Sequence, residues 1–241
     1  DRSRGLGDVY KRQFFRFKQF VVNQDRCAMK VGTDGTLLGA WASGGSRILD
    51  IGTGTGLIAM MMAQRFPDSS VVAIDIDRSA CEQARENVAD SPFAGRIMVE
   101  NVPVQDFVDG KFDAVVCNPP FFVDSYGCPD DRRHIARHAE SLSFDDLFRC
   151  ASGLLDAGGE FSVVIPVESF SRIDSAASMS AFRCIRKCAV KTVPRKAPRR
   201  YLLAYAKDGG REFEVSEECI EDEQHHRSAW YSALTSDFYL R

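Results

Sequence analysis

No run in these 241 residues approaches the roughly 18–20 consecutive apolar residues of a membrane-spanning helix, and no apolar signal-peptide core opens the chain. The sequence also lacks any C-x-x-C pair. Its eight cysteines, at positions 27, 81, 117, 128, 150, 184, 188 and 219, are scattered, mostly within apolar runs. That distribution argues against a zinc site or a disulfide framework and fits reduced thiols in a cytoplasmic protein. A strong net charge is missing too: at −3, the whole-molecule field does not announce a nucleic-acid binder. Internal repeats, low-complexity segments and the G-x-x-x-x-G-K-[ST] phosphate loop are absent.

What is present is the composition of a globular α/β domain, 44% hydrophobic and 27% charged. Residues 1–13 are polar and aperiodic and read as a non-native or disordered tail. Residues 14–45 form an N-terminal flanking segment, in which Phe14 to Val22 predicts a short basic β element. Thr33-Asp34 predicts the cap of a helix through Leu37, Leu38, Ala40 and Trp41. From 46 to 241 strands and helices alternate.

Strands are expected at Arg47–Asp50, Val71–Asp75, Ile97–Glu100, Phe112–Cys117, Phe161–Ile165, Cys184–Val193 and Tyr201–Ala206. Between them, helices are expected around Leu57–Phe66, Ser79–Ala89, Ser143–Leu155 (stopped by Gly158-Gly159), Glu168–Met179 and Ser228–Phe238. The order predicts a doubly wound, mostly parallel, seven-stranded sheet, in which ligands bind beyond the carboxyl ends of strands.

Three candidate groups fall at such ends. Asp50 opens into Gly52, Gly54 and Gly56, a G-x-G-x-G turn rather than the G-x-G-x-x-G of dinucleotide binders. No basic residue follows within that turn, which suits a ligand with an ammonium group and a nucleoside lacking phosphate. Asp75 ends the next strand, placed to accept two ribose hydroxyls. The ligand that fits both is S-adenosylmethionine.

The third group is Asn118-Pro119-Pro120-Phe121. A planar amino group attacks poorly because its lone pair is delocalised. The Asn118 side-chain oxygen and the Pro119 carbonyl can accept its two hydrogens and free that lone pair. Pro119 and Pro120 stiffen the turn without a competing N–H, and Phe121 can stack on the planar substrate. Orientation and electrostatics carry such a step without a strong base.

Charge is segregated along the chain. Residues 183 to 200 hold eight Lys/Arg and no acid, whereas 212 to 223 hold seven acids and no base. Within the basic run Arg195, Lys196, Arg199 and Arg200 are candidates for phosphate contacts. Arg137 and His138, with Arg132, Arg133 and His134, suggest a substrate-side basic loop. His134 and His138 lack a third ligand, so no metal is expected. His225-His226, beside acids, reads as exposed surface.

These residues resemble the class I S-adenosylmethionine-dependent methyltransferases with an N-P-P-[YF] motif, a Rossmann-like fold. The stretches Phe15–Phe20 and Asp25–Ala42, including Lys30-Val31-Gly32-Thr33-Asp34-Gly35, with the closing Ala229-Trp230-Tyr231-x-Ala233-Leu234-Thr235, resemble the bacterial valine-tRNA adenine-N6 methyltransferases. The resemblance covers about Phe14 to Leu240. It implies methylation of the adenine at position 37 of valine tRNA, with Lys30, Gly32 and Thr33 near the methionine end of the cofactor.

Many relatives have an acid contacting the cofactor adenine where this chain has Pro103, which leaves the Val104 backbone or Asp106 to substitute. Phe121 stands where tyrosine is common. A protein glutamine-N5 methyltransferase acting on release factors is the alternative, as is methylation of another RNA or DNA amino group. A non-catalytic RNA-binding or assembly module is a further alternative. A cytoplasmic monomer with tRNA as partner, and no membrane association, is expected.

Overall fold

In the computed structural model, which describes residues 14–27, 30–119, 142–207 and 210–240, the chain opens with an antiparallel hairpin of β1 (Phe14–Arg16) and β2 (Val21–Asn23). There follow α1 (Thr33–Trp41), β3 (Arg47–Ile51), α2 (Leu57–Arg65), β4 (Ser70–Asp75), α3 (Arg78–Ala89) and β5 (Ile97–Asn101). Next come β6 (Phe112–Cys117), α4 (Phe144–Leu154), β7 (Leu155–Pro166), a 3-10 turn at Val167–Ser169 and α5 (Phe170–Met179). The chain closes with β8 (Arg183–Lys191), β9 (Arg200–Ala206), β10 (Glu214–Cys219) and α6 (Ala229–Thr235). The expected tail 1–13 lies outside the described residues.

Eight strands form one sheet in the order β10-β8-β9-β7-β6-β3-β4-β5, and only β9 runs against its neighbours. The seven expected strands are all in it, and β10 adds an eighth at the edge. Its Glu214, Glu217 and Glu218 hide any apolar pattern, because an edge strand with one exposed face has little to bury.

The alternation of side chains in the central strands divides the core in two. Ile48, Val71, Ala73, Ala114 and Val116 face a layer that holds Leu37, Leu38, Met60, Met61 and the hairpin's Phe17 and Phe20. Leu49, Val72, Ile74, Val115 and Cys117 face the other, with Leu147, Phe148 and Ile173. Phe148 is packed edge-on against Phe161, Phe182 and Tyr205 at ring-centroid distances of 5.0, 5.4 and 5.0 Å. Truncating it to alanine removes about 3–5 kcal/mol.

Two local readings change. The N-cap of α1 is Gly32, which has no side chain to form a cap bond; Thr33 and Asp34 lie inside the first turn, and the Asp34 carboxylate accepts from Arg200. Helix α4 ends at Leu154, and Gly158-Gly159 lie inside β7 rather than stopping the helix. A Cβ on Gly159 would stand 2.8 Å from the Leu155 side chain and 2.9 Å from the Asp113 carbonyl oxygen, so glycine serves close strand approach there.

The carboxyl ends of β3, β4, β6 and β7 share one edge of the sheet. Because β9 is antiparallel, its first residue Arg200 pairs with Pro166 and with Val190 near the end of β8. The 192–199 connection therefore sits at that same edge.

Candidate functional site

Asp50 is fully buried near the end of β3. Its Oδ2 accepts bonds from Thr53 Oγ1 at 2.7 Å and from the Ala59 N–H at 3.1 Å, while Oδ1 meets no donor among the described residues. Burial pushes its pKa from 3.8 up to about 7, against those two hydrogen bonds and with some help from the Asp75 charge. A buried carboxylate oxygen without a donor is costly unless a cationic or N–H-bearing ligand meets it.

The turn that follows has φ of +72° at Gly52, +56° at Gly54 and +82° at Gly56, a left-handed conformation costly for other residues. A Cβ on Gly52 would meet nothing within 4 Å, so this backbone borders open space of the kind a ligand fills. The turn is stitched to β4, with Gly52 and Thr53 N–H both donating to the Ile74 carbonyl at 2.9 and 3.0 Å.

Asp75 takes the Gly54 N–H on Oδ2 at 2.8 Å and the Asp77 N–H on Oδ1 at 2.9 Å. Burial, the largest cause, raises its pKa, and these bonds oppose the shift. The Ile76 N–H bears on the same carboxylate, which still keeps acceptor capacity for a ligand hydroxyl. Beside it Ile76 is 63% exposed, and Asn101 Nδ2 clips the Asp75 and Ile76 carbonyls at 2.9 and 3.0 Å. The sequence reading passed over Ile76, although an apolar residue after an acid at a strand end is a signal for a flat apolar group. Val104 is buried in the adjoining core, and Asp106 is exposed on a turn closed by its N–H to the Pro103 carbonyl at 3.0 Å.

The N-terminal segment is tied onto this turn by residues that sequence reasoning missed. The buried Asn87 accepts the Asn23 N–H, donates to the Asn23 carbonyl, and donates to the Thr55 carbonyl in the glycine turn, each at 2.9 Å. Gln83 accepts the Arg26 N–H at 3.2 Å, and Gln24 accepts the Val31 N–H at 2.7 Å. Exposed Lys30, Gly32 and Thr33 follow directly.

Asn118 lies next to the glycine turn, because Cys117 before it pairs with Ile51 before Gly52. It is half-buried, Pro119 is buried, and a Cβ on Gly35 of α1 would stand 3.9 Å from Asn118 Nδ2. The structure thus brings the start of α1, the glycine turn, Asp75 and Asn118-Pro119 to one sheet edge. Pro120, Phe121, Arg137 and His138 lie outside the described residues.

The basic run is less uniform than its sequence. Arg186 pairs with Glu160 at 2.6 Å and covers the Trp41 ring at 4.0 Å, and Lys187 lies 3.8 Å above Phe170. Lys191 pairs with Glu217, Arg195 with Glu223 at 3.3 Å and Arg200 with Asp34 at 2.7 Å. Arg183 pairs with Ala206, remote from the ligand edge. Lys196 and Arg199 are exposed at that edge beside Arg195 and Arg200. His225 and His226 are exposed, as expected, and face Glu221 and Asp222.

Residues 35–172 match the family model of the methyltransferase small domain. The chain is 47% identical over 240 residues to the tRNA1(Val) (adenine(37)-N6)-methyltransferase of Bacteroides thetaiotaomicron, covering 94% of this chain and 97% of that one. Against the protein of the same name from Trichodesmium erythraeum it is 43% identical over 234 residues, covering 94% and 98%. A solved predicted O-methyltransferase of Agrobacterium tumefaciens aligns with a TM-score of 0.69 at 22% identity, over 85% of this chain and 96% of that one, a likeness of fold. The glycopeptide N-methyltransferase MtfA complexed with S-adenosyl-L-methionine aligns at 0.54 and 12% identity, over 74% of this chain and all of that one.

Proposed function

Because the chain belongs to the methyltransferase small-domain family and, within it, to the tRNA1(Val) (adenine(37)-N6)-methyltransferases, we propose that the Asn118 turn is the catalytic centre. The enzyme uses S-adenosylmethionine to methylate N6 of adenine 37 in tRNA1(Val). The observation that carries the site assignment is the placement of Asn118 at the end of β6, beside a glycine turn that follows an acid with one oxygen lacking a donor among the described residues.

When bound, S-adenosylmethionine supplies an electrophilic methyl group on a sulfonium. Asp50, Gly52, Gly54 and Gly56 cradle its amino acid part, and Lys30, Gly32 and Thr33 border that end. Asp75 takes the ribose hydroxyls, Ile76 the adenine face, and the Val104 backbone and Asp106 flank the adenine edge. The Asn118 side-chain oxygen and the Pro119 carbonyl accept the two hydrogens of the substrate amine, which localises its lone pair. Pro120 stiffens the turn and Phe121 stacks on the adenine. Arg195, Lys196, Arg199 and Arg200 hold phosphates at the same edge, and Arg137 and His138 are assigned to the RNA as well, on sequence alone.

The enzyme acts in the cytoplasm, where its tRNA is, and as a monomer. Edge strand β10, with Glu214, Glu217 and Glu218, repels a second copy of itself. Light scattering that gave twice the chain mass would end the monomer assignment.

Nucleoside mass spectrometry of tRNA incubated with enzyme and cofactor tests the reaction. In Asn118→Ala, turnover should fall at least about 100-fold with cofactor affinity retained. Full activity in that variant would remove Asn118 from the mechanism.

A further inference from the structure

Two guanidiniums of the basic hairpin have their acid partners outside the acidic segment, Arg186 with Glu160 and, at the ligand edge, Arg200 with Asp34. Arg200 Nε donates to Asp34 Oδ2 at 2.7 Å, and Nη1 donates to the Arg199 carbonyl at 2.9 Å. Both side chains are partly buried, at 34% and 27% exposure. Asp34 lies in the first turn of α1, and Gly35 beside it stands against Asn118. Arg200 opens β9 level with Pro166, two strands from β6. Two strand spacings and two residue rises place its Cα about 12 Å from that of Asn118.

We propose that Asp34 is a positioning residue for tRNA: it fixes Arg200 so that the outer edge of the guanidinium receives a phosphate near the target adenine. The proposal rests on the reading of the chain as a tRNA methyltransferase. Arg200 Nη2 has no partner among the described residues, so the fork can still make a bidentate phosphate contact while Nε is held. Through Asp34 the phosphate grip and the turn beside Asn118 belong to one segment of chain. A base presented to Asn118 is thereby tied to the backbone that carries it.

Charge alone predicts the opposite sign. A carboxylate on a phosphate-facing edge repels RNA, so removing it should tighten binding if its charge were all that mattered. If it orients Arg200, removing it should weaken productive binding.

The test is steady-state methylation of a tRNA1(Val) transcript, with cofactor calorimetry and thermal melting on the same variants. Asp34→Ala should raise KM for tRNA about tenfold, with kcat within about threefold and cofactor affinity within about twofold of the parent. Asp34→Asn, which keeps an acceptor for the Nε–H, should recover most of the loss. Arg200→Ala and the Asp34→Ala, Arg200→Ala double variant should share one KM. An unchanged or lower KM in Asp34→Ala overturns the proposal, as does additivity in the double variant or a loss that tracks melting temperature. A parent enzyme inactive on the transcript overturns the functional reading, and this proposal with it.

Discussion

The glycine turn and the basic hairpin share one sheet edge but are built in opposite ways. The turn is mostly buried, with Gly52 exposed, and its acids accept bonds from Thr53, Ala59 and Gly54; Asp50 Oδ1 has no donor among the described residues. The turn of the hairpin is exposed, and Lys191, Arg195 and Arg200 in and beside it each face an acid from elsewhere in the chain. A small cationic ligand is recognised by leaving a buried polar group unsatisfied. A polyanion is recognised by exposed cations whose neighbours hold them in place and damp their attraction. The first arrangement is energetically strong and local, the second weak per contact and dispersed.

The contrast is open to its sharpest attack at Asp50. Its pKa is raised from 3.8 to about 7, so the folded protein keeps a proton that the unfolded chain has released. The stability conferred by the neutral carboxyl is complete below about pH 4 and is lost as pH rises through 7, on the order of 4 kcal/mol in all. About 2–3 kcal/mol of that falls between pH 5 and pH 8, and urea unfolding of the parent and of Asp50→Asn at those two values isolates it. Parallel pH dependences in the two proteins would show that Asp50 is not the buried acid described. Cofactor affinity should run the other way, tightening from pH 6 to pH 8 as Asp50 ionises toward an ammonium.

The glycines offer the next largest effect. In Gly56→Ala the φ of +82° and the Ala84 side chain 3.4 Å from the new Cβ should remove about 1–2 kcal/mol of stability. Gly52→Ala carries a comparable backbone cost, but its Cβ enters open space. There the additional loss, about tenfold, should appear in cofactor affinity. If calorimetry gave Gly52→Ala the parent's affinity, that space would not belong to the cofactor.

What could be read from the sequence follows the same division. Asp50 with its glycines, Asp75 and Asn118 each lie at the end of an apolar strand, so a few adjacent residues disclose their place at the ligand edge. The partners could not be read that way. Asn87 meets Asn23 across 64 positions and Arg200 meets Asp34 across 166, and side-chain pairing at such range leaves no local pattern. Strand β10 was illegible because at an edge its acids face solvent and a basic neighbour rather than a core. Thr33-Asp34 looked like a helix cap because the residue types were right, but the helix begins at Thr33 itself and the cap position falls on Gly32.

The smallest expected effect bears on the hairpin itself. Glu217 and Glu223 pair with Lys191 and Arg195 at the surface, the first through a largely buried lysine side chain and the second in an exposed contact, and surface pairs contribute about 1 kcal/mol or less to stability. Glu217→Gln and Glu223→Gln should therefore leave the melting temperature nearly unchanged. What they should change is the competition between carboxylate and phosphate for the same cations. Each substitution releases one cation, so tRNA affinity should rise about threefold, and its dependence on log salt should steepen by up to about one unit. Asp34, paired with Arg200 at the same edge, should respond with the opposite sign. If filter binding across a salt series showed both acids of β10 and its loop behaving like Asp34, pairing throughout the hairpin would be orienting rather than damping. The division between the two kinds of acid would then give way to a single pre-arranged phosphate clamp.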